Sequence, residues 1–349
     1  MDRKTVFVIG AGASKEANLP TGLELKNTIA KLLDIRFSDG YNQKSGDYTI
    51  CEALRLFVKE ESNQNCNINS YLHEACHITS AMPQAISIDN FIDTHRENAK
   101  IALCGKLAIV KSILDAEGHS HLHFENKRID STINFKALEK TLYGSFFQLL
   151  TENCAKSDLK KRFQSVTLIV FNYDRCIEHF LLYALQNYYR INEAEAAEII
   201  KCIDIYHPYG RVGYLPWQQS QNSVGFGETP NAHKLLTLTY QIKTFAEGTD
   251  PNSSDIKEIR KHMANASHLI FLGFAFHKLN MQLIAPSRTE EEFNVVRCYA
   301  TAYGVSDSNK EQITEQITML YSSRADVGVK LSSKTCGDFF GDFWRSLAF

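Results

Sequence analysis

The chain has 349 residues, enough for two average domains or for one large domain carrying an insertion. Hydrophobic residues make up 44% and charged residues 22%, the balance of a folded globular protein rather than a disordered one. Thirty-eight basic against 40 acidic side chains leave a net charge of −2, which removes any global electrostatic case for binding nucleic acid or a membrane surface.

The run Thr5-Val-Phe-Val-Ile9 is apolar and β-branched and stops at Gly10-Ala11-Gly12, which predicts a buried strand of a parallel sheet. Apolar residues at 23, 25, 29, 32 and 33 predict a helix over 22–33. Strand signals then cease. The stretches 48–77, 88–115 and 134–154 all show helical spacing, so residues 46–160 read as a helical insertion between the first and second core strands. Strand-sized runs return at 166–171, 203–206, 269–272 and 295–302, with helical patterns over 174–188 and 309–321. Strands alternating with helices predict an α/β fold, a Rossmann-like doubly wound parallel sheet built from residues 1–45 and 161–349. Gly, Pro, Asn and Ser mark long loops at 210–232 and 250–255, the second ending in a helix N-cap. The insertion carries Phe91, Ile92, Phe124, Phe146 and Phe147, more apolar surface than its own small core requires, so it is expected to build contacts between subunits of a homo-oligomer and to control access to the site.

No apolar run approaches the roughly 20 residues of a membrane helix, and Gly10 interrupts the first one too early for a signal peptide. The nine cysteines are scattered, with no Cys-x-x-Cys pair, which predicts reduced thiols, a cytoplasmic setting and no zinc ribbon. His119, His121 and His123 lie close together but have no carboxylate or thiol partner at ligand spacing, so no metal is expected. Lys156, Lys160, Lys161 and Arg162 read as a solvated helix end, since nucleic-acid binding would want aromatic neighbours and only Phe163 is near.

Four features sit at strand ends, where open α/β sheets bind ligands. Gly10-Ala11-Gly12-Ala13-Ser14 lets a backbone come close to a phosphate, although Lys15 stands where a dinucleotide fingerprint wants its third glycine, and no clear strand precedes Asp34, the candidate ribose acid. Phe171-Asn172-Tyr173-Asp174 follows the second core strand; Asp174 can cap the next helix, which leaves Asn172 unexplained. Tyr206-His207-Pro208-Tyr209-Gly210 offers an imidazole suited to general-base work. Phe271-Leu272-Gly273-Phe274 puts a glycine at a further strand end, in a segment that runs on to Asn280.

Taken together, in this order and over about residues 4–305, these motifs resemble the sirtuin-like (SIR2) family, especially its bacterial anti-phage defence members. The resemblance implies an NAD site. Gly10, Ala11, Gly12 and Ser14 would cradle the diphosphate, and Thr21 and Gly22 would lie near the nicotinamide. Asn172 and Asp174 would hold the nicotinamide ribose and the attacking water, His207 would be the catalytic histidine, and Gly273 and Phe274 would contact the adenosine ribose. His207 is followed by Pro208 where the family has glycine, and the four-cysteine zinc module of the lysine deacylases is missing. The expected activity is therefore an NAD glycohydrolase that consumes NAD as substrate, needs no metal, and works with a partner ATPase/helicase (HerA-like) or an Argonaute-like protein. A non-catalytic sensor of NAD or ADP-ribose is the alternative, and a protein deacylase a more distant one.

Overall fold

The computed structural model describes residues 4–62, 67–125, 132–244, 247, 254–286, 296–321 and 327–349. Its strands, in chain order, are β1 (Thr5–Ile9), β2 (Arg36–Phe37), β3 (Gln43–Ser45), β4 (Val166–Val170), β5 (Asp204–Tyr206), β6 (His268–Leu272), β7 (Val296–Thr301) and β8 (Val327–Ser332). β2 and β3 form a small antiparallel pair. The other six run parallel in the order β5-β4-β1-β6-β7-β8. Numbered among themselves they read 3-2-1-4-5-6, the Rossmann arrangement, whose order reverses between β1 and β6.

Period-two alternation sends side chains to two faces. Phe7 and Ile9 join one core cluster and Val6 and Val8 the other; Leu168 and Ile169, or Ile270 and Phe271, divide the same way. Strands buried on both faces read as unbroken apolar runs, so β1, β4, β6 and β7 were visible in the sequence. Helices cover both faces, which makes the sheet doubly wound. On one side lie α8 (Leu142–Thr151), α9 (Leu159–Gln164), α10 (Cys176–Tyr189), α11 (Glu193–Ile200) and the helix Cys336–Leu347. On the other lie the helices Ser254–Ala264, Lys278–Ile284 and Asp307–Met319.

Between β1 and β4 the chain is almost entirely helical. The short α1 (Ala11–Ser14) leads to α2 (Gly22–Leu33). The predicted 48–77 helix forms as α3 (Tyr48–Ser62) and α4 (Asn69–Ala81). The stretch 88–115 forms as α5 (Ile88–Thr94) and α6 (Ala99–Gly118), with Asn98 capping α6; 134–154 gives α7 (Phe135–Leu138) and α8. α2 to α6 share a third core cluster with α12 (Ala232–Thr239) and with Val212 and Val224 of the long loop, forming a helical lobe beside the sheet.

Phe91, Ile92, Phe146 and Phe147 are buried inside the chain, and Phe124 packs edge-on against Tyr183 with ring centroids 4.9 Å apart. They therefore carry no argument for a subunit contact. β8, α11, α12 and the C-terminal helix had no counterpart in the sequence reading. β8 is an edge strand whose side chains are half-buried and exposed in turn. Residues 250–253 of the second predicted loop lie outside the described residues, and a helix begins at Ser254. The eight described cysteines are free thiols. Among the described residues, no helix is long and apolar enough to cross a membrane.

One ion pair fastens lobe to sheet. Glu117, on the last turn of α6, and Arg175, just before α10, both have fully buried side chains. Arg175 Nε donates to Glu117 Oε1 at 3.1 Å while its other nitrogens reach Glu117 Oε2 and the carbonyls of Val224 and Gly225. Removing one partner strands the other charge in a dry interior. Glu117→Ala is expected to cost about 3–5 kcal/mol, read as a lower urea midpoint; an unchanged midpoint would show that the pair does not hold the lobe.

Candidate functional site

The loops after β1 and β6 leave neighbouring parallel strands at the point where the strand order reverses, and they meet backbone to backbone. Gly10 N–H donates to Leu272 O and Gly12 N–H to Gly273 O, both at 3.0 Å. A Cβ on Gly10 would lie 2.5 Å from Gly273 O, and one on Gly12 would lie 2.9 Å from Gly273 Cα. Gly273 has φ +59°, and its Cβ would fall 2.0 Å from Ala13 N. Close approach accounts for all three glycines. The amides of Gly10 and Gly12 are spent on protein carbonyls, so these residues offer a ligand a bare surface rather than free donors. Three residues on, Phe276 is itself left-handed at φ +54°, held between Phe271 and Phe274 with ring centroids 5.2 Å away in each case.

The loop after β4 locks onto the loop after β1. Asn172 Nδ2 donates to Gly10 O at 3.0 Å and to Ser14 Oγ at 2.7 Å. Ser14 Oγ donates to Asp174 Oδ2 at 2.7 Å, and Asp174 Oδ1 accepts the N–H of Cys176 at 3.1 Å. Arg175 is the N-cap residue of α10 and makes no side-chain cap bond, so Asp174, one residue earlier, holds only the first helical amide, and Asn172 gains the assignment that capping could not give it. Beneath this network, Tyr143 is buried and its hydroxyl is pushed well above the usual tyrosine range, by burial first and then by Cys176 and Asp174.

His207 lies one layer deeper than the cleft. Its side chain is 4% exposed, Nδ1 sits 3.2 Å from Asn172 O, and Nε2 sits 2.9 Å from Glu178 Oε1. With a carbonyl oxygen against one ring nitrogen and a carboxylate oxygen against the other, neither nitrogen faces the cleft. Arg211 Nη1 adds a 3.3 Å contact to the same Glu178 oxygen. Burial opposes ionisation of Glu178, but His207 and Arg211 outweigh it and hold the carboxyl at about 2.

A cleft of about 470 Å³ opens over these strand ends, within the usual range for small-molecule sites. Gly10, Ala11, Gly12, Asn172, Gly273 and Phe274 form its floor, and Thr21 and Gly22 at the start of α2 form one rim. Ser14, Asp174 and His207 do not line it; they form the layer behind. Thr21 is tied into a capping box, accepting from Glu24 N–H while Glu24 Oε2 accepts from the Thr21 amide at 2.8 Å. Asp34 ends α2, paired with Arg36 at 2.7 Å, and has no place in the cleft.

The opposite wall escaped the sequence reading. Asp89 and Asp93 come from α5 of the helical lobe, Tyr173 and Tyr209 from inside motifs that were noticed for other residues, and His277 and Asn280 from beyond β6. Tyr209 Oη donates to Asn280 Oδ1 at 2.6 Å, and the Tyr173 hydroxyl donates to Asp89. Burial raises Asp89 above the usual carboxylate range, with the Tyr173 hydrogen bond pulling the other way. A residue on a distant helix has no local sequence signal that would pair it with strand-end motifs.

A second hollow, about 380 Å³, lies between α8, α10 and Trp344 and uses none of the strand-end residues. Among the described residues, no three His, Cys, Asp or Glu side chains come together as a metal site. His119 and His121 are exposed where α6 ends. Comparison with models of protein families finds no match, and comparison with curated proteins finds none either.

Two outcomes follow from this geometry. Glu178 is lowered from 4.5 to about 2 in the folded chain, so its ionised form adds stability that is complete above pH 4.5 and lost as the pH falls toward 2. On the order of 3 kcal/mol is at stake. Glu178→Gln should therefore be less stable than wild type at pH 6 and close to it near pH 2, by urea titration at both; a pH-independent difference would refute the pairing. Gly273→Ala should fail to fold or melt far lower, because its Cβ has no room and its φ is left-handed. Wild-type melting would show that the two loops do not interlock.

Proposed function

We propose that the chain is an NAD glycohydrolase that splits NAD and water into nicotinamide and ADP-ribose. The observation that carries this reading is the cleft at the β1/β6 reversal, floored by glycine backbone and by Asn172, in a sheet of Rossmann order. The resemblance of the same strand-end motifs to sirtuin-like proteins supplies the substrate. In this reading the diphosphate runs over Gly10–Gly12 toward Thr21 and Gly22, and the adenosine lies against Gly273 and Phe274. Asn172 orients the nicotinamide ribose, while Ser14 and Asp174 fix Asn172. His207, held by Glu178, buttresses the Asn172 backbone from behind. Cleavage leaves a cationic ribose, and a cleft that positions NAD and one water supplies most of what the reaction needs. The resemblance further suggests NAD depletion during phage infection, with an ATPase/helicase or Argonaute-like partner as trigger and a homo-oligomeric assembly.

One observation favours the rival reading of a non-catalytic NAD or ADP-ribose sensor: both His207 nitrogens are occupied. The two readings separate in one assay. Purified protein incubated with NAD should release nicotinamide, and Asn172→Ala and His207→Ala should lower the rate about 10²-fold by misplacing the substrate while the fold, followed by circular dichroism, persists. Tight NAD binding with no nicotinamide release would establish the sensor and defeat the hydrolase.

A further inference from the structure

α5 is a seven-residue helix capped by Ser87, whose hydroxyl accepts from Asn90 N–H at 3.1 Å. Ile88, Phe91 and Ile92 bury one of its sides in the helical lobe. Asp89 and Asp93, one turn apart, lie on its other side, and both line the strand-end cleft. The polar stripe of this helix therefore faces a cleft rather than open solvent. The two carboxylates differ in what holds them. Asp89 accepts the Tyr173 hydroxyl, whose residue sits between Asn172 and Asp174 in the chain. Asp93 Oδ1 is buried and has no hydrogen-bond partner among the described residues. Asp93 as a residue lines the cleft, so the accessible part of its carboxylate is placed to take a hydroxyl brought by a ligand. A ribose diol is the usual partner of an acidic side chain in a nucleotide site.

His207 is shut behind the floor, so a proton acceptor that meets the substrate has to come from elsewhere. Of the cleft-lining groups, Asp89 and Asp93 are the carboxylates. We propose that Asp89 and Asp93 are the substrate-contacting carboxylates of the site, Asp93 accepting a ribose hydroxyl and Asp89 receiving the proton of the attacking water. This rests on the NAD-cleaving reading above. The bond between the ribose anomeric carbon and the nicotinamide nitrogen breaks, and its electron pair leaves with nicotinamide, which departs neutral. The water oxygen bonds to the anomeric carbon, its proton passes to Asp89, and Asp89 later yields it to solvent. Positive charge develops on the ribose between these events, beside two carboxylates and under the aromatic walls of Phe171 and Phe274, where it is poorly screened. Burial, which raises Asp89, also strengthens it as a base.

The test uses the full chain, nicotinamide release from NAD for turnover, and calorimetric titration with ADP-ribose for binding. Asp89→Asn keeps an acceptor for Tyr173 and should lower kcat about 10²- to 10⁴-fold while leaving KM and ADP-ribose affinity within about threefold. Asp93→Asn should instead raise KM and weaken ADP-ribose about tenfold, with a smaller effect on kcat. If Asp89→Asn melts below the assay temperature, Asp89→Glu decides: it keeps the charge but displaces it by a methylene, and kcat should fall at least tenfold with binding intact. Wild-type kinetics in the Asp89 and Asp93 variants, alongside a wild-type enzyme that releases nicotinamide and an inactive Asn172→Ala, would overturn the proposal and leave the hydrolase reading standing. A wild-type protein that neither releases nicotinamide nor binds ADP-ribose would bring down the hydrolase reading and this proposal together.

Discussion

Two parallel strands that sit side by side at a reversal of sheet order force their following loops into the same space, and this chain resolves the conflict by removing side chains. β1 and β6 are hydrogen-bonded neighbours, roughly 4.8 Å apart by the geometry of any sheet. Gly10, Gly12 and Gly273 let the two loops touch through backbone alone, and two hydrogen bonds between them fix the contact. Almost everything at the site follows from it. At Gly10, Gly12 and Gly273 the floor of the cleft is backbone with no side chain projecting from it. Ser14 is carried to where Asn172 and Asp174 can reach it. The strained Phe276 is tolerated because the aromatic packing around it is built on the same loop. The glycines serve a ligand through shape, since the donors of Gly10 and Gly12 are already used.

The polar residues divide into two layers. Ser14, Asp174, Glu178, His207 and Arg211 are bonded to one another or to backbone, behind the floor. Asn172 belongs to both layers, lining the cleft while its amide nitrogen holds Gly10 and Ser14. In front stand Asp89, Asp93, Tyr173, Tyr209 and Asn280. The back layer is hydrogen-bonded throughout, apart from Glu178 Oε2, which has no partner among the described residues. In the front layer Asp93 Oδ1 has no hydrogen-bond partner among the described residues.

That division explains what the sequence could reveal. Core strands buried on both faces announce themselves as apolar runs, and the glycines and polar residues at their ends stand out by contrast. β8, alternating and at the sheet edge, resembles an amphipathic loop, and the hairpin of β2 and β3 is too short to show any period. The depth of His207 was hidden because it depends on Glu178, a residue that reads as an ordinary helix carboxylate. Asp89 and Asp93 were hidden more completely, since more than 80 residues separate Asp89 from Asn172 and only the packing of the lobe brings them together. The aromatic residues of the insertion misled for the opposite reason. Their number is plain in the sequence, but whether they face a core or a partner is decided by helices such as α8 and α10, on which Phe146, Phe147 and Phe180 converge.

Four successive residues after β4 each take a different part of the molecule, and two of them reach the lobe. Asn172 grips the loop after β1, and Tyr173 reaches Asp89 on α5. Asp174 holds Ser14 and the first amide of α10, while Arg175 pairs with Glu117 on α6. α5 in turn sits hard against α6, since a Cβ on Gly105 would lie 2.6 Å from Ile92 Cδ1. The carboxylate wall of the cleft is therefore fixed twice to the segment that carries the floor, once directly through Tyr173 and once through α6 and the buried ion pair. A wall held by one contact could drift from the floor by the ångström that matters for positioning a substrate. Here it is held by two contacts from one loop, a buried ion pair and a tyrosine hydrogen bond. Because Asn172, Tyr173, Asp174 and Arg175 follow one another, the loop after β4 ties floor, wall and back layer of the site to one short stretch of chain.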